Sequence, residues 1–287
     1  MANMREIRSR IKSVESTRQI TKAMKMVSVA KLRRARGISA GMELYVRKSR
    51  ELLNRLCAAS AITDNRFLTP RPEIRRVCYV LFVGNRGLCG TYNQAILRYV
   101  RELLAKEQHP WELIVVGRWG RDVLEHEKLP VRQYFDADDA PNPSDAMRLT
   151  AALKELYLRE EADEVYLVYQ KYLSVLQQIP TAERFLPAVL PETNGQAEKY
   201  IFEPSPEAVL DRLTEAYLYG QVFAVERQTR IGEQAARMAA MTAAADATEE
   251  LLGKLDLELN RARQTAITTE ISEIVGGASA LQDMPQE

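Results

Sequence analysis

The chain has 287 residues, 46% of them hydrophobic, enough to bury a sizeable core in one large domain or two ordinary ones. Forty basic residues against 39 acidic ones leave a formal charge of +1, so bulk charge points to no polyanionic partner. The opening MANMREIRSRIK has no apolar core of the kind a secretory leader needs, and no stretch approaches the roughly 18 to 20 apolar residues of a membrane span, so a cytosolic protein is expected.

From residue 4 to about 58 the pattern is helical. Met4, Ile7, Ile11, Val14, Thr17, Ile20, Met24 and Val27 recur every three or four residues, which predicts a narrow apolar seam on a basic rod. Residues 1 to 36 carry eleven Lys or Arg against Glu6 and Glu15, a net charge of +9. Gly37 and Gly41 are weak points, but each costs only about 1 kcal/mol relative to Ala, too little to require a break.

The middle, residues 74 to about 190, changes character. RRVCYVLFV, ELIVVG, VRQYF and EVYLVYQ are short β-branched or aromatic runs, separated by helical segments near 91 to 107, 118 to 128 and 144 to 160. Strands alternating with helices predict a parallel sheet covered on both faces, and continuous apolar runs fit strands buried on both sides. The segment from Val175 to Leu186 contains Pro180 and is placed as an edge strand. Prolines at 187, 191, 204 and 206, around Asn194 and Gly195, mark a linker or long loop.

Within this region CYVLFVGNRGLCGTYN poses a chemical question, since strand, glycine-rich turn and helix are the parts of a phosphate-binding site. A Walker loop requires G-x-x-x-x-G-K-[ST] and a dinucleotide loop G-x-G-x-x-G with a later acid. Gly84, Gly87 and Gly90 match neither spacing, no Lys precedes Thr91, and Glu102 falls inside a helix. The glycines are better read as a sharp turn that lets helix and sheet pack closely. Other catalytic sets are thin. His109 and His126 sit in polar surroundings and are placed on the surface. Asp136, Asp138 and Asp139 lack a calcium-loop pattern and read as a solvated connection. Cys57, Cys78 and Cys89 form no C-x-x-C pair and read as reduced, mostly buried side chains. No metal, cofactor or catalytic residue is expected.

From Pro206 the helical pattern returns. Met238, Met241, Ala245, Thr248, Leu252, Leu255, Leu259, Ala262 and Ala266 step alternately by three and four, a sustained heptad. Ile267, Ile271, Ile274, Ala278 and Leu281 carry the stripe onward, with no charge from Ile274 to Leu281. A helix over 206 to 281 would be about 110 Å long, far more than a central domain can cover. Residues 226 to 287 hold six basic and eleven acidic side chains, a net −5. Opposite charge and matching narrow seams predict that the terminal helices pair as an antiparallel coiled coil, with the C-terminal one overhanging. The expected regions are 1–60 and 206–287 for the two coiled-coil helices and 74–190 for the α/β domain.

Three stretches together resemble one family. IRSRIKSVESTRQITKAMKMVSVAKLRRAR, the central NRGLCGTYN, and EQAARMAAMTAAADAT with NRARQTAITTEISEIVGGASAL are similar, in order, to the gamma subunits of rotary F-type ATP synthases. The resemblance implies a shaft of paired terminal helices inside a hexamer of alternating alpha and beta subunits. It also implies a central Rossmann-like domain that holds no nucleotide, and a foot on a membrane ring driven by proton flow. By the same likeness Arg263 and Gln264 match positions that catch a loop of one beta subunit, Thr268 and Glu270 continue that face, and Met24 and Arg237 match positions beside the acidic lever segment of beta. Glu203 matches a foot position on the ring, and Phe202 stands where Tyr is common. The partners implied are the alpha, beta and epsilon subunits and the c-ring, with no nucleic acid, at the cytoplasmic face of the cell membrane. The plastid cysteine-bearing redox insertion is missing, so thiol regulation is not expected. Residues 282 to 287 extend past the usual ending and are expected to fray. Two rival readings are a nucleotide-dependent enzyme dimerised by its coiled coil and a nucleic-acid-binding coiled coil using the basic first helix.

Overall fold

A computed structural model describes residues 4–60, 65–127, 129–138, 142–188 and 202–282. Among the described residues the elements run α1 (Met4–Ser60), β1 (Val77–Phe82), α2 (Tyr92–Leu104), β2 (Trp111–Val116), α3 (Arg118–Glu127), β3 (Val131–Phe135), α4 (Pro143–Leu158), β4 (Glu164–Tyr172), β5 (Gln178–Leu186) and α5 (Pro206–Gln282). Most of the proline-rich linker, residues 189–201, the extension beyond Gln282, and Asp139 of the expected solvated connection lie outside the described residues. Contacts divide the chain into two units, one of residues 1–27 with 240–287 and one of residues 28–239.

The larger unit is built on a five-stranded sheet of order β3-β2-β1-β4-β5. β1 pairs in parallel with β2 and β4, and β2 with β3, while β5 runs antiparallel on the edge. Pro180 lies in β5, where its missing N–H costs no ladder bond to a further strand. All six residues of β1 are buried, because both faces of the sheet are covered. Val77, Tyr79 and Leu81 point to a layer with Ile96, Leu97 and Val100 of α2 and Leu124 of α3. Cys78, Val80 and Phe82 point the other way, to Leu149 and Leu153 of α4, Leu53 of α1 and Leu218 and Val222 of α5. Strand alternation therefore sorts the core into two layers.

Helix starts follow local chemistry. Asn142 caps α4 by accepting from the Ser144 amide, with Pro143 at the first helical position. The Ser205 hydroxyl oxygen accepts from the Ala208 amide ahead of α5, with Pro206 at its first position. α1 is a single helix through Gly37 and Gly41. Within the larger unit α1 and α5 run antiparallel: the Arg227 guanidinium reaches the Ala35 carbonyl, and Gly220 packs against Tyr45 and Val46.

In the smaller unit residues 4–27 lie against residues from 240 onward, again antiparallel, with Lys22 and Glu249 at 3.6 Å. Ile7 is buried at one end of this pairing. Residues 4–27 hold seven basic and two acidic side chains, net +5, and residues 240–282 hold three basic and seven acidic ones, net −4. Opposite charge favours the pairing, although one exposed bridge is itself worth little.

The heptad of α5 is observed as expected as far as Ala262, with Met241, Ala245, Leu252 and Leu255 buried and Met238, Thr248, Leu259 and Ala262 half-buried, whereas its last expected member, Ala266, is exposed because the seam ends before it. The seam of α1 is corrected after Val14. Ile20 and Val27 are 57% and 55% exposed, whereas Thr21 and Ser28 are 7% and 1% exposed. The expected path takes three successive steps of three between Ile11 and Ile20, each turning the stripe by about 60° off the axis. The buried track keeps alternating, through Arg18, Thr21, Lys25, Ser28, Leu32 and Ala35.

Candidate functional site

Two places concentrate the chemistry, each within one unit. The first is the glycine turn at the carboxyl end of β1. Its position is the switch point of the sheet, since β1 is flanked by β2 on one side and β4 on the other, where open α/β sheets take their ligands. The turn is sharp: Leu88 and Gly90 adopt φ of 60° and 59°. The Gly84 amide donates to Asn93 Oδ1 at 2.9 Å, tying the strand end to α2.

Side chains of α5 lie over this turn. A Cβ on Gly84 would stand 2.8 Å from Asn93 Oδ1 and 3.1 Å from Glu233 Cδ, so the glycine makes room for a carboxylate of the chain itself. Glu233 is 2% exposed and takes Arg230 at 2.8 Å and Arg237 at 2.7 Å. Arg237 also donates to the carbonyls of Arg86 at 3.2 Å and Gly87 at 3.2 Å. The Tyr92 ring lies 2.9 Å from the Cβ position of Gly232, and its hydroxyl donates to the Thr229 carbonyl at 3.0 Å. An anion between cations thus sits at the head of α2, where a phosphate would sit in a nucleotide site. Gly84 works as a close-packing glycine, as the sequence suggests, but against α5 as well as α2.

Arg237, matched by resemblance to a beta-facing position, is 6% exposed, with its guanidinium directed into the turn. The sequence alone does not single out Glu233 and Arg230. Their i, i+3 and i+4 spacings are visible in RIGEQAAR, but nothing local indicates that the set is buried.

Cys78 and Cys89 are buried, Cys57 is half-buried, and all three are free thiols. Burial pushes the Cys89 thiol up. His126 is exposed, while His109 is half-exposed with Nδ1 at 2.8 Å from Glu107. Among the described residues no three His, Cys, Asp or Glu gather as metal ligands.

The second place is the outer part of the helix pair in the smaller unit. Beyond Ala262 every described side chain of α5 to Gly276 is exposed. Ile267, Ile271, Ile274 and Val275 are 48%, 55%, 66% and 58% exposed, an apolar stripe of a size that marks an interaction surface. A groove of about 940 Å³ opens where Met4 and Ile7 face Ala262, Thr265, Ala266 and Thr269.

Arg263, Gln264, Thr268 and Glu270 are all exposed here. At about 100° per residue Arg263 and Glu270 share one side of the helix, while Gln264 and Thr268 share another about 120° away. The four therefore present two faces. Thr268 donates its hydroxyl to the Gln264 carbonyl at 2.9 Å. Met24 is half-buried on α1, beside buried Thr21. At the start of α5, Phe202 is half-buried and Glu203 exposed. Among the described residues no helix is long and apolar enough to cross a membrane.

Comparison with known proteins gives a consistent result. The ATP synthase family model matches residues 3–281. The chain is 42% identical over 283 residues to the ATP synthase gamma chain of Desulfitobacterium hafniense, covering 98% of this chain and all of the relative. It is 40% identical to that of Moorella thermoacetica, again over 98% and 100% of the two chains. In fold it is similar to a chain of the Euglena gracilis mitochondrial ATP synthase rotor, with a TM-score of 0.67, 21% identity, and 92% and 98% of the two chains covered. A second Euglena structure, of OSCP, F1 and c-ring, gives a TM-score of 0.68 at 19% identity over 99% and 97%. Matches of this identity and length, over helices and sheet alike, make the chain a member of the ATP synthase gamma-chain family.

Proposed function

We propose that the chain is the central-stalk rotor subunit of an F-type ATP synthase, turning inside the alpha/beta hexamer and coupling proton-driven rotation of the membrane ring to ATP synthesis, or hydrolysis to reverse rotation. End-to-end identity with gamma chains carries this reading. Its physical support is an α5 with apolar side chains exposed beyond Ala262, where a shaft needs a surrounding sleeve. In this role the subunit is non-catalytic and holds no nucleotide. The filling of the glycine turn by Glu233 and Arg237 supports that reading against a nucleotide-dependent enzyme. The acidic stretch of α5 along the basic start of α1 weakens the field a nucleic acid would need, which argues against the second rival.

Residues 1–60 and 206–287 serve as the shaft and 74–190 as the domain at its side. Arg263, Gln264, Thr268 and Glu270 meet beta subunits on their two faces, with Met24 on α1 beside the acidic lever segment. Arg237 serves beta by holding the 84–90 turn in place. Phe202 and Glu203 form part of the foot on the c-ring, alongside epsilon. The complex lies at the cytoplasmic face of the cell membrane.

Coexpression with alpha and beta subunits of a related synthase tests the reading. The chain copurifies in a complex that hydrolyses ATP, and the Arg263→Ala, Gln264→Ala double variant assembles but loses at least about tenfold in coupled turnover, as removal of a charged hydrogen-bonding group predicts. Absence from the complex overturns the rotor role; parent-like coupling in the variant overturns the contact.

A further inference from the structure

Four charged side chains of α5, Glu226, Arg230, Glu233 and Arg237, follow one another at spacings of four, three and four, so they share one side of the helix. All four are buried within the larger unit. Their signs alternate, yet they are not paired two by two. Arg230 donates to one oxygen of Glu233 and Arg237 to the other. Arg237 reaches further, its Nε and Nη2 donating to the Gly87 carbonyl and Nη2 also to that of Arg86. Glu226 has no hydrogen bond or ion pair among the described residues, although Arg230 lies one turn away.

The other titratable groups around Glu226 do not replace that partner. Asp145, in the first turn of α4, repels it and is itself paired with Arg148 at 2.6 Å. The Tyr219 hydroxyl lies two turns back on α5. Arg227 turns away, to the Ala35 carbonyl and the Phe223 ring. A buried carboxyl without a partner keeps its proton, and Glu226 is raised to about 7. While it is neutral, two guanidinium groups share one carboxylate, and the carbonyls of the turn help to satisfy Arg237. Ionisation of Glu226 makes the numbers equal. Arg230 can then turn from Glu233 to Glu226, which frees one oxygen of Glu233. Arg237 can take both oxygens of that carboxylate, a pairing stronger than bonds to neutral carbonyls.

We propose that these four residues form a proton-operated latch on the glycine turn. With Glu226 protonated, Arg237 holds the Arg86 and Gly87 carbonyls; with Glu226 ionised, Glu226 pairs with Arg230 and Glu233 with Arg237, and the segment from Gly87 to Gly90 is released. Asn93 still ties Gly84 to α2, so the strand end stays in place. The held form carries the extra proton, so it prevails at low pH and gives way as the pH rises through about 7. The latch belongs to the chain by itself and does not rest on the rotor role.

Cys89 lies in the released segment and is buried in the held form, so its alkylation by iodoacetamide reports release. Peptide mass spectrometry of the full chain follows it separately from Cys57 and Cys78 at roughly pH 6 and pH 8.5, one pH on each side of the midpoint. Each rate is divided by that of Glu226→Gln at the same pH, which cancels the ionisation of the thiol. The expected ratio is near one at the lower pH and at least about tenfold at the higher. Equal rates in parent and Glu226→Gln at both values overturn the proton step. An equal rise at Cys78, deep in β1, means that the chain opens as a whole and overturns the latch. Arg237→Gln leaves Cys89 reactive at both values; a Cys89 protected at the lower pH in that variant overturns Arg237 as the holding group. Copurification with alpha and beta is read separately, so failure here leaves the rotor reading untouched.

Discussion

Glu226 on α5 is 6% exposed, and burial raises its carboxyl to about 7; Arg230 opposes that shift and Asp145 adds to it. The folded chain thus holds a proton that the unfolded chain, with a carboxyl near 4.5, releases earlier. The stability this contributes is fully present below 4.5 and is lost as the pH rises to about 7. Glu226→Gln is neutral throughout and removes the loss, so denaturant unfolding shows the variant gaining on the parent between roughly pH 4 and pH 8, by up to about 3 kcal/mol. A gap that does not change with pH refutes it. Asp163 has the opposite sign. Burial works to raise it, but the Arg75 and Arg76 amides at 2.8 and 3.1 Å and the Arg71 guanidinium at 2.5 Å outweigh that and hold it below the usual range. Its contribution is present above about 3.8 and is lost only as the pH falls further.

At the scale of elements, the seam of α1 can be checked by two neighbouring substitutions. Ile20 points outward, so Ile20→Ser changes the isolated chain's unfolding by less than about 0.5 kcal/mol. Thr21 lies in the buried track with its hydroxyl on the Arg18 carbonyl, so Thr21→Leu overpacks it and costs about 1 to 3 kcal/mol. Circular dichroism melts decide the order, and the reverse ranking returns the seam to Ile20. The strands were readable because burial on both faces demands unbroken apolar runs such as VCYVLF, and α5 because its heptad keeps strict alternation. α1 misleads because it buries Thr21 and Ser28, small polar residues that a hydrophobic pattern passes over, while Ile20, Met26 and Val27 face outward. The glycine turn is legible as a turn, since Gly90 takes a positive φ and Gly84 a close approach that both favour glycine. Its filling by Glu233 was not, because a contact between residues so distant in sequence leaves no local periodicity.

For the molecule as a whole, the outward apolar residues decide what the chain can do alone. Ile267, Ile271 and Ile274 lie on one side of α5 at spacings of four and three, 48%, 55% and 66% exposed. In a solitary protein such a stripe favours self-association, and in a shaft it is the surface its sleeve covers. Fully covering one such side chain stabilises a complex by about 1.5 to 3 kcal/mol, so two exceed the threshold for a tenfold change in affinity. Ile271→Ser with Ile274→Ser therefore raises the concentration at which the isolated chain stays monomeric, measured by sedimentation. The same pair lowers its affinity for the alpha/beta hexamer at least about tenfold. Because serine adds no charge, the complexes that do form turn over at the parent rate. Unchanged assembly in the double variant means that this stripe is not what the sleeve grips, and a slower rate in intact complexes means that the apolar surface guides rotation as well as holding the shaft in place.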